Sequence, residues 1–128
     1  QVADIDVVGH LDLAARYGFD EIGDYNFEQY KPVLTKILSC VIDRDLGIEV
    51  NTSGWRNSVG RPYPNDKVLM LYKALGGKRI TIGSDGHNPI DIGSKWQRAY
   101  ALLRKIGFEY VYVFMQRQPV EIGKFARS

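Results

Sequence analysis

The chain has a single cysteine, Cys40, among its 128 residues. That excludes an internal disulfide and suits a reducing compartment, so a cytoplasmic location is expected. Its neighbours Ile37 and Leu38 mark Cys40 as a core or helix-face thiol, not a nucleophile. No apolar run approaches the ~20 residues of a transmembrane helix, so no membrane partner is expected. Net charge is scarce too. A formal +2 is too small to argue for an anionic membrane, and a nucleic-acid partner is not expected. The N-terminal Gln1-Val2-Ala3-Asp4 has no basic n-region, no signal-like core and no initiator Met, so the sequence reads as a processed product or a piece of something longer. Phosphate loops of the Walker or dinucleotide type are missing, the Gly54 to Gly60 spacing being wrong for either, and Ser53 and Ser84 lack the glycines of a nucleophile elbow. The rest is ordinary for one globular domain spanning residues 1–128, with 45% hydrophobic and 25% charged residues and length enough to bury a core.

The organising stretch is Ile80-Thr81-Ile82-Gly83-Ser84-Asp85-Gly86-His87. Its β-branched run, stopped by glycine, predicts a buried strand with Asp85 at its C-terminal edge and His87 in the following loop. Upstream, residues 2–9 carry Ile5, Val7 and Val8 and predict another strand, ending in Gly9-His10. A short helical or loop segment, Leu11 to Tyr17, closes at Gly18. From Tyr30 the apolar residues Val33, Leu34, Ile37, Leu38, Val41 and Ile42 recur at helical spacing, with Pro32 expected in the first turn. A strand follows at Ile48–Asn51, then a loop from Thr52 to Asn65, long enough to be functional or disordered. Asn65 or Asp66 can cap a helix whose face is Val68, Leu69, Leu71, Tyr72 and Leu75, stopped by Gly76-Gly77. Ser94 to Gln97 reads as a capping box for a helix burying Trp96, Ala99, Tyr100, Leu103 and Ile106. Tyr110 to Met115 reads as a strand buried on both faces, and residues 118–128 as a polar tail. Strands alternating with crossover helices predict a parallel α/β sheet built from right-handed units.

Both histidines of the chain, His10 and His87, fall at predicted strand C-terminal edges, and Asp85 joins them. In parallel α/β folds ligands bind at that edge because helices cover the faces, and imidazole with carboxylate suits a metal or catalytic site. The alternative is plain: Asp85 as a turn or cap residue, His87 as a surface residue. The 52–65 loop adds Arg56 and Arg61, whose planar forks suit phosphate or carboxylate unless they are solvated surface charges. Glu49 either faces an interior or is a surface or salt-bridged carboxylate.

Four segments together resemble a known family: Asp6-Val7-Val8-Gly9-His10-Leu11-Asp12, Gly47-Ile48-Glu49-Val50-Asn51-Thr52-Ser53-Gly54-x-Arg56, Pro62-Tyr63-Pro64 and Ile82-Gly83-Ser84-Asp85-Gly86-His87. In order and spacing they resemble the histidinol-phosphate phosphatases of the PHP (polymerase and histidinol phosphatase) superfamily, through to about Val120. The resemblance implies part of a distorted, TIM-like (β/α)7 barrel with up to three divalent ions (Zn, Mn or Fe). It implies hydrolysis of a small phosphomonoester, L-histidinol phosphate, in histidine biosynthesis. It makes His10, Asp85 and His87 metal ligands, Arg56 a phosphate ligand and Arg16 a second candidate for phosphate. The family's opening His-x-His pair and the His and Glu ligands that follow it have no counterpart before His10. The resemblance therefore implies the C-terminal half of such a domain, inactive alone, with the N-terminal half or a second copy as partner. A non-catalytic assembly module of the same ancestry, or a hydrolase of another phosphoester, is the alternative.

Overall fold

The structure is a computed structural model and describes residues 4–125. Strands β1 (Val7–Val8), β2 (Gly47–Asn51) and β3 (Ile80–Gly83) form a parallel sheet in the order β1-β2-β3. Val7 pairs with Gly47, Ile48 with Ile80 and Asn51 with Gly83. The connections are helical: α1 (Ala15–Ile22) and α2 (Phe27–Asp43) between β1 and β2, and α3 (Asp66–Ala74) between β2 and β3. After β3 come a single 3-10 turn at Pro89–Asp91, α4 (Trp96–Ile106) and two more strands, β4 (Val111–Met115) and β5 (Gln118–Ile122). The fold is thus mixed α/β with parallel βα units, as expected.

The core lies between this sheet and the helices. Leu38, Ile48, Val50, Val68, Leu69, Ile80 and Leu103 are fully buried within it, and Tyr72 nearly so. Each such aliphatic side chain contributes about 1.5–3 kcal/mol relative to an exposed one.

Several expectations need correction. The first strand is shorter than residues 2–9, because only Val7 and Val8 find ladder partners on β2; residues 2 and 3 lie outside the described part. The first helix runs through Gly18 and stops at Gly23, whose positive φ of 74° and N–H to the Phe19 carbonyl make the cap. Helix α2 begins three residues before Tyr30, because the Asn26 side chain accepts the N–H groups of Glu28 (3.0 Å) and Gln29 (3.4 Å). Pro32 therefore lies inside the helix, on its exposed side, where water can reach the Glu28 carbonyl it leaves without a donor. The apolar stripe of α2 is wider than the surface that covers it: Leu34, Leu38 and Val41 are buried, but Tyr30, Val33 and Ile37 stay exposed. Cys40 is likewise exposed, on the helix face.

The C-terminal part differs most. β4 is not buried on both faces; it pairs antiparallel with β5 through a turn at Gln116-Arg117, where both residues have positive φ. Only Val111 of β4 is buried, and Met115 is 62% exposed. The polar tail is thus partly a strand, and Phe125 beyond it is buried against Tyr100, ring centroids 4.3 Å apart. Residues 126–128 lie outside the described part. From the hairpin turn itself, Arg117 binds the carboxylates of Asp4 and Asp6.

Ser94 is not the cap of α4. That position is held by Lys95, in left-handed conformation and without a side-chain cap bond, because the Ser94 groups are engaged elsewhere. Trp96 is half-exposed, packed edge-on to Tyr100.

Candidate functional site

Because β1, β2 and β3 are parallel, the segments that follow them leave from one edge of the sheet. His10 leaves from β1, Asn51 and the 52–65 segment from β2, and Asp85 and His87 from β3. Asp85 and His87 meet directly: Nε2 of His87 is 3.3 Å from Oδ1 of Asp85. His87 is otherwise largely exposed. At both strand exits a residue with a side chain takes a left-handed conformation, φ 29° at His10 and 48° at Asp85. Such backbone costs about 1–3 kcal/mol per residue and persists only where the surroundings hold it.

Two residues do the holding. The first is Glu49. Its Oε2 accepts the His10 backbone N–H (3.1 Å) and the Asn51 side-chain amide (3.2 Å). Its Oε1 lies over Gly83, where a Cβ would come within 1.8 Å of it. The carboxylate therefore spans the sheet edge from the exit of β1 to the exit of β3, and Gly83 has to be glycine for it to fit. Glu49 faces the site, so the question left open by strand alternation is resolved in favour of an inward carboxylate.

The second is Arg56, at the end of a 3-10 helix, Thr52–Arg56, that continues β2. Its Nη2 donates to the carbonyls of Ser84 (2.7 Å) and Asp85 (3.1 Å), and its Nη1 to the Ser94 hydroxyl (2.7 Å). Its Nε lies 3.3 Å from an Asp91 oxygen. The guanidinium thus ties the Asp85 turn to the loop before α4, and Thr52 reinforces this by donating to the Ser94 carbonyl at 2.7 Å. The 52–65 segment is ordered: Asn51 pairs with Tyr63, Asn51 Oδ1 accepts both the N–H and the hydroxyl of Ser53, and Thr52, Ser53 and Gly54 are buried. Gly54 is required there, since a Cβ would fall 2.0 Å from the Arg61 carbonyl oxygen.

The other arginines divide. Arg16 is exposed on α1, its charge felt by the Tyr63 hydroxyl. Arg61 is not a surface charge. It is largely buried, and its fork is filled by Asp24 (2.5 and 2.6 Å), Asp12 (3.0 Å) and the Pro62 carbonyl (2.9 Å). The hydrogen bonds from Arg61 hold the Asp24 carboxyl below its ordinary range. Burial pushes the Asp12 carboxyl up, against the pull of Arg61 and of the donors on its Oδ2. Burial and the neighbouring Asp12 push the Tyr25 hydroxyl up strongly.

For a divalent ion, the donors fit in kind, imidazole and carboxylate converging in Asp85 and His87. In number they do not close: among the described residues no three His, Cys, Asp or Glu side chains are grouped to hold one ion. His10 shares the edge and is linked to it through Glu49, but does not complete a triad with the Asp85–His87 pair. Sequence reading missed the bracing role of Glu49 and the engagement of Arg56; the only signal for the first was Gly83, a glycine ending a strand beside a carboxylate-bearing one.

No family model matches the chain. A probable histidinol-phosphatase of Thermotoga maritima is 33% identical over 106 residues, 83% of this chain and 43% of that protein. A histidinol-phosphatase of Lactococcus lactis is 31% identical over 106 residues, 83% of this chain and 39% of its own length. Among solved structures, the histidinol phosphate phosphatase of Lactococcus lactis, complexed with zinc, L-histidinol and phosphate, superposes with a TM-score of 0.71 at 25% identity, over 91% of this chain and 44% of that one. A putative histidinol phosphatase of Listeria monocytogenes gives 0.62 at 27% identity, over 72% and 35%. The resemblance to histidinol-phosphatases thus holds in sequence and in fold, and the chain spans less than half the length of these relatives. Among the described residues no helix is long and apolar enough to cross a membrane.

Proposed function

We propose that this chain supplies one part of the active site of a metal-dependent phosphomonoester hydrolase of the histidinol-phosphatase kind, acting on L-histidinol phosphate in the cytoplasm. The observation that carries the reading is the Asp85–His87 pair, braced by Arg56 at the edge it shares with His10. The solved relative in complex with zinc, L-histidinol and phosphate supports both metal use and substrate class.

In this reading His10, Asp85 and His87 are metal ligands whose set is completed by a segment outside this chain, the counterpart of the remaining length of the relatives. Divalent ions of the zinc, manganese or iron kind, when bound, supply a water of lowered pKa and charge stabilisation on phosphoryl oxygens. The chain's own residues orient and bind. Glu49 fixes the His10 backbone, and Arg56 fixes the Asp85 turn. The remaining Nη1 hydrogen of Arg56 and the exposed Arg16 are the cationic donors for the substrate phosphate. A non-catalytic role in assembly is the second reading, favoured by the exposed apolar side chains Tyr30, Val33 and Ile37 along α2, a surface a partner could cover.

The test is metal content and turnover of histidinol phosphate by the chain alone, and again after adding the N-terminal half of a histidinol-phosphatase. Weak metal and no turnover alone, with activity on addition, is the expected result. Stoichiometric tight metal and robust turnover by the chain alone would refute the shared site. No activity in either case, with the halves shown to associate, would favour the assembly role.

A further inference from the structure

We infer that one flank of the fold is the seat of a single βα unit: a strand added parallel to the outer edge of β1, with its crossover helix laid along the exposed stripe of α2. Two separate features meet there. The first is a strand edge. β1 stands at the end of the sheet order β1-β2-β3, and among the described residues nothing pairs with its outer side. The Gly47 N–H donates to the Asp6 carbonyl at 2.9 Å, so the peptide groups of Val7, one residue on, turn to the open side. Open edges are commonly blunted by charge. Here the strand residues are Val7 and Val8, and the carboxylates before them, Asp4 and Asp6, are held by Arg117. The second feature is a helix face. Tyr30, Val33 and Ile37 recur three and four residues apart on α2 and all are exposed, although α3 packs against the same helix. Beside them an open groove of about 330 Å³ runs towards Gly18 and Ile22 of α1.

Handedness joins the two features. Crossovers between parallel strands of one sheet are right-handed, so α2, between β1 and β2, and α3, between β2 and β3, lie on the same face in strand order. The flank of α2 that α3 leaves free is then the flank over β1. A parallel strand outside β1, connected to it by the same rule, lays its crossover helix on that flank. There the ridge of Tyr30, Val33 and Ile37 is spaced to enter the groove of another helix. A lone strand would satisfy the edge and leave the stripe bare, and a lone helix would do the reverse. The length of the relatives names the occupant: this chain covers 43% of the Thermotoga maritima histidinol-phosphatase and 39% of the Lactococcus lactis one, so each has further chain to supply the unit. A second copy fits less well. Two-fold symmetry pairs β1 with its own copy antiparallel, which turns the His10 edges of the two sheets away from each other. The inference rests on the phosphatase reading and deepens it, by naming the surface on which the segment that completes the site sits.

Cys40 reports on the stripe. It is the only cysteine of the chain, it is exposed, and it follows Ile37 by three residues and Val33 by seven, so it continues the same ridge. The test is the rate at which iodoacetamide alkylates Cys40, read on its own peptide by mass spectrometry. It is measured in the full chain alone and in the full chain joined behind the N-terminal half of the Lactococcus lactis histidinol-phosphatase. Amide exchange at Val7 is followed by NMR on the same samples, with a chelator present throughout. In the joined protein Cys40 is expected to react about tenfold or more slowly, and Val7 to exchange more slowly. Val33→Asp, at a position exposed in the chain alone, should restore the Cys40 rate. Should Val33→Asp fail to fold, the two rates in the parent sequence decide. Equal rates in the two proteins, or a shielded Cys40 with no change at Val7, would overturn the inference. Shielding that appears in the chain alone as its concentration rises would identify a second copy as the occupant and overturn it as well. Turnover is measured separately after metal is restored, so docking without turnover would count against the shared active site and not against the docking surface.

Discussion

Nη2 of Arg56 stands 2.7 Å from the Ser84 carbonyl oxygen and 3.1 Å from that of Asp85. The phosphate-ligand candidate is therefore also the brace of a metal-ligand candidate. Arg56→Lys keeps the charge but loses the planar fork that reaches both carbonyls and Ser94. It should lower stability by about 1–3 kcal/mol in urea unfolding. If the proposed reconstitution with an N-terminal half yields a metal-loaded enzyme, the substitution should also weaken metal retention measured by chelator competition. A variant with unchanged metal affinity and stability and only a raised KM would assign Arg56 to the phosphate alone.

Gly83 and Glu49 make a second coupled pair. A methyl at residue 83 would collide with Glu49 Oε1, so Gly83→Ala should drive the carboxylate off the His10 N–H and cost about 1–3 kcal/mol. If that collision is the cause, the cost should shrink in the Glu49→Ala background, and a double-mutant cycle reads the difference directly. Additive costs would place the strain elsewhere.

These couplings also show what the sequence could and could not disclose. The Ile80–Gly83 strand and the Asp85–His87 loop were legible because a β-branched run ended by glycine has one reading, and parallel topology then fixes the edge. Strand alternation sets Glu49 apart from Ile48 and Val50 but does not say which face is covered; its partner His10 is 39 residues away. Ser94 looked like a cap because its local pattern is right, yet its hydroxyl is taken by Arg56, 38 residues earlier. The β4–β5 hairpin escaped notice because Gln116-Arg117 carries neither Gly nor Asn, although both residues adopt the positive φ such a turn needs. Local chemistry was readable; long-range partners that outcompete it were not.

The Asp24–Arg61 pair makes stability depend on pH in a defined direction. Hydrogen bonds from Arg61 hold the Asp24 carboxyl below its ordinary range. A folded-state pKa below the unfolded one means stability present above about pH 4, the unfolded value, and lost as pH falls through the folded one. Asp24→Asn should therefore be less stable than the parent at pH 6, with the gap closing towards pH 3, measured as the difference between the two denaturation midpoints so that other carboxylates cancel. A gap that stays constant over that range would mean that the ionised pair contributes nothing and that the substitution acts through packing.

The last expectation concerns the two sides of α2, and through them whether the outer stripe of that helix is covered in solution. Leu38 is fully buried in the core, whereas its chain neighbour Ile37 is 39% exposed beside Tyr30 and Val33. Truncating a core leucine leaves a cavity as well as losing transfer energy, so Leu38→Ala should cost about 2–5 kcal/mol. Ile37 loses contacts on one side only, and Ile37→Ala should cost less than about 1.5 kcal/mol in dilute protein. Both substitutions place alanine in the same helix, so helix propensity nearly cancels between them. If Ile37→Ala proves as costly as Leu38→Ala, the stripe is buried in solution, and a rise of that cost with protein concentration would identify a second copy of the chain as what covers it. If the two costs stay apart at every concentration, the stripe is open in the isolated chain, as its width beyond the buried residues of α2 implies.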